Sequence, residues 1–163
     1  MQEALTVARA GLEAGEMPIG AVVVVDGEIV ASEHTQERAT GRLLVHADLL
    51  AEAADRVTSG RRDRATLYVN LEPCLMCLGA AFSTKLGAVV YGLESPSDGG
   101  VAAFEGWDND RDAGGMPGYA IPEIRGGVLR AEAALLFRKY SERTESDSWS
   151  AAWARDLADL VGK

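Results

Sequence analysis

A strand pattern runs directly into a helix pattern at residues 65–83, ATLYVNLEPCLMCLGAAFS. Residues 65–70 predict a buried strand, and residues 74–83 predict a helix with almost no polar face. Pro73 precedes the first cysteine, where its missing N–H costs nothing if the helix begins there. Cys74 and Cys77 would then lie near the positive end of the helix dipole, which favours their thiolate forms.

Further elements flank this stretch and alternate between helix and strand. The patterns predict an amphipathic helix over 2–15, a β-hairpin over 21–31 that turns at Asp26-Gly27, a helix over 46–57, a buried strand over 87–91, and helices over 129–142 and 148–160. Such alternation is typical of a layered α/β domain with a partly parallel sheet.

Residues 92–127 are rich in glycine and proline and predict a long loop that holds at most short elements. Phe104, Trp107 and Tyr119 either cover a pocket or anchor this loop to the core. Trp149 and Trp153 are four positions apart on the last predicted helix, and this spacing usually packs against a core or a subunit partner.

The chain has 163 residues, which fits one domain, and its net charge is −9. Its 16 basic residues against 25 acidic ones argue against a nucleic-acid partner, because affinity for a polyanion depends on Lys and Arg. We interpret the cluster of Arg61, Arg62 and Arg64 as a solvated loop. No apolar run is long enough to span a bilayer, and the start lacks the pattern of a secretory signal, so we expect a cytoplasmic protein without membrane contact.

The two cysteines gain a third partner upstream, His46, which is 28 positions before Cys74. One imidazole and two thiolates suit zinc, and three protein ligands leave a fourth position open for water, as in catalytic sites. Two alternatives stay open. His34 as a fourth ligand would make the site structural, and a Cys-x-x-Cys pair alone would suit dithiol redox chemistry.

His46-Ala47-Asp48 and Pro73-Cys74-Leu75-Met76-Cys77 together resemble the cytidine deaminase-like superfamily, whose pattern is His-x-Glu followed by Pro-Cys-x-x-Cys. The more similar branch contains tRNA adenosine deaminases, guanine deaminases and fungal-type cytosine deaminases. The resemblance covers most of residues 1–140. It implies a three-layer α/β/α fold around a mixed five-stranded sheet and a homodimer. We expect one deaminase domain over 1–163, with a C-terminal helical extension from about 144.

The resemblance also implies the chemistry. His46, Cys74 and Cys77 would hold zinc, and Asp48 would take the position of the acid/base residue. The family has Glu at that position, and Asp is one methylene shorter. Either Asp48 moves the proton itself, or a water bridges it to the substrate, or the protein is an inactive relative in which Asp48 merely suits the first turn of a helix.

Related enzymes place an Asn eleven positions before the zinc-binding His to hydrogen-bond the base. The same count here reaches Thr35, with His34 beside it, unless the two sequences differ by a gap. A hydroxyl cannot reproduce the paired donor and acceptor of an amide, so the ring recognised here differs from an ordinary base. The expected set of substrate contacts is completed by Val45, Ala47, Glu72 and Trp107.

These observations predict a zinc-dependent hydrolytic deaminase acting on a small aminated nucleobase, nucleoside or related heterocycle. Its partner would be that small molecule rather than a nucleic acid, because the chain has no basic tail. Two alternatives remain, a tRNA adenosine deaminase and a zinc-binding protein without catalytic activity.

Overall fold

A computed structural model describes residues 1–46, 60–107 and 121–162 of the chain. The helices within these ranges are α1 (Gln2–Glu13), α2 (Glu37–Thr40), α3 (Leu75–Ser83), α4 (Arg130–Arg143) and α5 (Trp149–Asp159). The strands are β1 (Gly20–Val25), β2 (Glu28–His34), β3 (Ala65–Leu71), β4 (Ala88–Leu93) and β5 (Glu123–Arg125). No helix in these ranges has both the length and the apolar character needed to cross a bilayer.

The five strands form one mixed sheet in the order β2-β1-β3-β4-β5. Strand β1 is antiparallel to both β2 and β3, whereas β3, β4 and β5 run parallel to one another. The mixed five-stranded sheet expected from the resemblance is therefore confirmed.

The hairpin between β1 and β2 turns where the Asp-Gly dipeptide predicts. Both Asp26 (φ 54°) and Gly27 (φ 86°) adopt the left-handed conformation that a tight two-residue turn requires. At the other end of β1, Gly20 lies so close to α1 that a Cβ atom there would stand 2.2 Å from the backbone nitrogen of Ala8. Helix α1 therefore packs directly on the sheet.

Apolar side chains fill the space on both faces of the sheet. On one face, α3 buries Leu78 and Phe82 against the side chains of β1, β3 and β4. On the other, α1, α4 and α5 enclose a second cluster around Phe137. Helices thus cover both faces, which is the α/β/α layering predicted from the resemblance.

One edge of the sheet gathers the chain segments that matter for function. The parallel strands β3 and β4 end together there, since Leu71 pairs with Leu93. Strand β2 also ends at this edge and β1 begins there, where Gly20 pairs with His34. The segments that follow β2, β3 and β4 therefore converge, as is common for sites in α/β sheets.

Most predicted elements agree with the structure to within two residues. The helix predicted over 46–57 lies almost wholly in residues 47–59, outside the described residues. The described part of segment 92–127 holds only short elements, as expected, since β4 extends into it to Leu93 and the three-residue β5 joins the sheet edge. Strand β5 has no signal of its own, since its three residues acquire strand character only by pairing with β4.

Candidate metal centre

His46, Cys74 and Cys77 come together at the convergent edge of the sheet. Cys74 is the N-cap of α3 and Cys77 lies in its first turn. The Nδ1 atom of His46 lies 3.8 Å from Sγ of Cys74 and 3.3 Å from Sγ of Cys77. These three side chains form a group whose ligand atoms all lie within 4.8 Å of one another.

The spacing of the three atoms fits a tetrahedral zinc ion. Zinc bonds of usual length to sulfur and nitrogen place the two ligand atoms about 3.6 Å apart at a tetrahedral angle. The two observed S···N distances lie on either side of this value. His34 does not belong to the group, so within the described residues the arrangement has three ligands and one open position. That arrangement favours a catalytic site over a structural one.

The close approach of the three side chains shifts the pKa of each of them. The hydrogen bond from Cys77, followed by that from His46, lowers the pKa of Cys74 to about 3. The same pairing with Cys74, together with burial, raises the pKa of Cys77. The two cysteines thus share one proton. The pKa of His46 is raised, mainly because its ring bonds to Cys74. A metal ion that displaces the remaining protons would supply the positive charge that balances the two thiolates.

A carboxylate faces the other side of the histidine ring. Oε1 of Glu37 lies 3.7 Å from Nε2 of His46. Burial raises the pKa of Glu37, although the charge of His46 opposes that shift. The buried carboxylate of Glu16 accepts hydrogen bonds from the backbone N–H groups of Arg38 and Ala39, which holds α2 in place. Glu37 therefore stands where it can orient the imidazole, as carboxylates beside metal-bound histidines commonly do.

A cavity of about 380 Å³ opens beside the three ligand atoms, and its size suits a small ligand. Its inner wall is apolar, with Ile19, Leu67 and Val69 contributed by the sheet and the segment before β1. Its carboxylates are Glu33, Glu37, Glu72 and Asp98, and no Lys or Arg occurs among the described residues that line it.

The structure brings several of the predicted substrate contacts into this cavity. His34, Thr35 and Val45 line it. Thr35 is buried, and its Oγ1 has no hydrogen-bond partner among the described residues. The Nδ1 atom of His34 bonds to the carbonyl of Thr35 over 2.7 Å, which orients its ring. The predictions for Ala47 and Asp48 lie outside the described residues.

Glu72 also lines the cavity, and its carboxylate holds the loop after β4. It accepts hydrogen bonds from the backbone N–H groups of Ser95 and Val101 over 3.0 and 3.1 Å. This loop carries Asp98 to the cavity. Trp107, by contrast, is not among the described lining residues. It stacks on Phe82 with ring centroids 5.7 Å apart, which agrees with the anchoring role considered for this loop.

Sequence reasoning missed other lining residues. Trp149 and Trp153 line the cavity from α5, although Trp153 also packs on Phe137, as the helical spacing predicts. Glu37 and Asp98 carry no motif that marks them. Their positions follow from the loops that Glu16 and Glu72 hold, and a single sequence does not reveal which distant loops meet.

The MafB19-like deaminase family matches residues 1–131, which include all three candidate metal ligands. The chain belongs to this family. The cytidine deaminase-like assignment made from the two motifs is thereby confirmed.

Curated relatives of the chain include enzymes described as acting on tRNA. A tRNA-specific adenosine deaminase of Bacillus subtilis is 43% identical over 101 residues, which are 61% of this chain and 63% of that protein. A tRNA(Ile)-lysidine synthase of Deinococcus radiodurans is 40% identical over 142 residues, 85% of this chain. The chain spans only 23% of the length of that synthase.

Solved structures agree with the fold. A structure from work on A-to-I editing by tRNA:A34 deaminases superposes with a TM-score of 0.66 at 30% identity, covering 83% of this chain and 96% of the other. The guanine deaminase of Nitrosomonas europaea superposes with a TM-score of 0.63 at 21% identity, covering 85% and 81%. The second likeness supports the fold alone.

Proposed function

We propose that this MafB19-like deaminase is a zinc-dependent hydrolase that releases ammonia from a small aminated nucleobase, nucleoside or related heterocycle. The observation that carries the proposal is the opening of the His46, Cys74 and Cys77 group into a cavity of 380 Å³. These three residues would hold zinc, which when bound lowers the pKa of a water so that hydroxide is available at neutral pH.

The surrounding side chains suit a ring that carries an amino group. The hydroxyl of Thr35 would bond a polar atom of the substrate, because a buried hydroxyl without a partner costs free energy. Glu37 would hold the imidazole of His46 in the orientation that directs Nδ1 to the metal. Asp48 would carry the proton of the attacking water to a ring nitrogen, and would then carry the proton of the added hydroxyl to the departing amino group, as its position in the His-x-acid motif implies.

The carboxylates of the cavity favour a small neutral or cationic substrate. Glu33, Glu37, Glu72 and Asp98 would repel the phosphates of an approaching RNA strand, and the described lining offers no Lys or Arg to offset them. The net charge of −9 adds to this repulsion. The homodimer, the single domain and the cytoplasmic location expected from the sequence stay predictions.

A tRNA adenosine deaminase is the second candidate, and the relatives favour it. The proteins of Bacillus subtilis and Agrobacterium fabrum with this description are 43% and 29% identical to the chain. The expectation that no nucleic acid binds therefore has no support from the comparisons. The cavity and the charge support the small substrate, and a direct assay can decide between the two.

The deciding experiment measures ammonia release by the zinc-loaded protein. The substrates are aminated purines, pyrimidines, triazines, their nucleosides and a tRNA anticodon stem-loop. We expect release from one class of small heterocycle and none from the stem-loop. Release from the stem-loop alone would establish the second candidate. If protein shown to contain zinc released ammonia from no substrate of the panel, the result would favour the inactive zinc-binding protein.

Variants of Asp48 provide the control for this assay. Asp48→Ala is expected to keep zinc and the fold but to lose turnover by about 100-fold or more, the usual scale of acid/base catalysis. Asp48→Glu separates the interpretations of the shorter side chain. A faster variant would mean that Asp48 is a weakened form of the family residue, whereas a slower one would mean that the cavity is built around the shorter acid. An Asp48→Ala variant with full turnover would exclude the assigned role.

A further inference from the structure

The outer wall of the cavity comes from a part of the chain far from the metal ligands. Trp149 and Trp153 of α5 line the same cavity as His46 and Cys74. Trp149 leaves 76% of its surface exposed, although the same helix buries Ala151, Ala154, Leu157 and Ala158. A large aromatic side chain at the mouth of a site is an apolar surface available to a ligand.

Helix α5 is held firmly enough to act as a wall. The ring of Trp153 packs edge-to-face on Phe137, with centroids 6.1 Å apart, and its Nε1–H donates to Oγ of Ser97 over 2.8 Å. The guanidinium of Arg130 donates to the carbonyl of Leu160 over 2.9 Å and also bonds to Glu94 at the end of β4. The C-terminal end of the helix is thus tied to the sheet edge that carries the metal ligands.

The α5 wall lies outside the part of the chain that the family describes. The family matches residues 1–131, whereas α5 begins at Trp149. The wall is therefore a feature that can distinguish the specificity of this chain from that of the family. Its indoles face a cavity that holds four carboxylates and, among the described lining residues, no Lys or Arg, and such a combination suits a planar ring that is neutral or cationic.

We propose that Trp149 and Trp153 determine substrate specificity, because they recognise the face of a planar, neutral or cationic heterocycle that enters as a free base or nucleoside. This inference rests on the proposed function and names the part of the chain that selects its substrate. Trp149 covers the outer side of the ring, and the bond between Trp153 and Ser97 sets the position of the wall.

The test compares three variants with the wild-type protein. Trp149→Ala removes the exposed indole. Trp153→Phe keeps an aromatic ring but loses the N–H that bonds Ser97. Trp107→Phe is the matched control, because Trp107 is not among the described residues that line the cavity. The control chain also retains Trp149 and Trp153 as its sole tryptophans, so that its fluorescence reports on the wall.

Two measurements are made with the same aminated purines, pyrimidines, triazines and nucleosides as in the ammonia assay, and with a tRNA anticodon stem-loop. In the ammonia assay, Trp149→Ala is expected to raise KM for the preferred base roughly 5- to 30-fold with little change in kcat, since aromatic stacking on a base is lost. Trp153→Phe is expected to raise KM less, and Trp107→Phe to leave it unchanged. In the second measurement, the preferred base quenches the fluorescence of the Trp107→Phe protein saturably.

The two proposals fail in different ways. Ammonia release with the same KM in Trp149→Ala and the wild type would overturn the proposed role of the α5 wall but would agree with the proposed deaminase activity. Saturable quenching by a base without ammonia from any substrate would overturn the deaminase and keep the wall. A Trp149→Ala variant that weakens only the stem-loop would also overturn the proposal, because the indole would then contact RNA. Failure of every base to quench the Trp107→Phe protein would overturn it as well.

Discussion

The two ends of the cavity are built in different ways. At the metal end, Cys74 and Cys77 are three positions apart at the start of one helix, and among the described residues His46 completes the group. At the aromatic end, Trp149 and Trp153 reach the cavity because α5 packs on α4 and bonds to the loop after β4. The metal end depends on charge and ligand chemistry, whereas the aromatic end depends on apolar packing between distant segments.

This difference suggests that the reaction and the choice of substrate depend on different parts of the chain. The metal end lies within the part of the chain that the family matches, and the aromatic end lies outside it. Chemistry common to a family is expected where ligand geometry permits few changes. Specificity is expected where a helix can be exchanged without disturbing the metal.

The largest effect is expected from removing a metal ligand. Cys74→Ala and Cys77→Ala should each lose zinc and turnover. Zinc that binds only the native state stabilises it by about 4 kcal/mol when free zinc exceeds Kd a thousandfold. These variants should therefore also unfold at a lower temperature. Zinc content by atomic spectroscopy and thermal unfolding with and without a chelator measure both losses. Ser83→Ala, at the exposed end of the same helix, is the control and should keep its zinc. Stoichiometric zinc in either cysteine variant would contradict the site.

An intermediate effect is expected from the carboxylate behind His46. Glu37→Gln removes the charge that lies 3.7 Å from the imidazole, and we expect zinc affinity to fall about 10- to 100-fold. Competition with a chromogenic chelator gives the dissociation constant. Glu33→Gln is the matched control, since this carboxylate also lines the cavity but accepts a hydrogen bond from the Gln36 side chain. Equal losses in both variants would mean that the overall negative charge matters and not the contact with His46.

The smallest effect is expected where the aromatic end is tied to the sheet. The hydrogen bond from Arg130 lowers the pKa of Glu94, so the pair contributes stability that is present at neutral pH and is lost as pH falls through the lowered pKa. Because the two side chains are 34% and 37% exposed, Glu94→Gln should cost only about 0.5 kcal/mol at pH 7. Urea unfolding of the variant and the wild type at pH 7 and pH 3 measures this difference, which should be smaller at the lower pH.

The exposed pair of Glu13 and Arg143 provides the control, because it lies away from the cavity. Glu13→Gln should have no effect on KM, whereas Glu94→Gln should raise it slightly by loosening the hold on α5. A Glu94→Gln variant with unchanged stability at pH 7 would contradict the role of this ion pair in holding α5 in place.

Local sequence patterns anticipated much of the fold. The Asp26-Gly27 turn, strand β3 and helix α3 each carry a signal within a few residues, because turn chemistry and apolar periodicity act over that range. The three candidate metal ligands could also be named from the sequence, because zinc requires particular donor types at particular spacings, and the structure places them together, while zinc itself stays a prediction. Strand β5 and the cavity role of Trp149 were not readable, as both depend on partners that lie far away in the chain.

The sequence by itself determined the layered α/β architecture, the three candidate metal ligands and the resemblance to deaminases. Tertiary structure alone decided that Glu37 faces His46, that Glu72 holds the loop carrying Asp98, and that the tryptophans of α5 line the cavity. The physical reason is that the residues of a ligand motif themselves carry the donor atoms that can bind a metal. A cavity wall is formed only when the packing of separate elements brings their side chains to the same place.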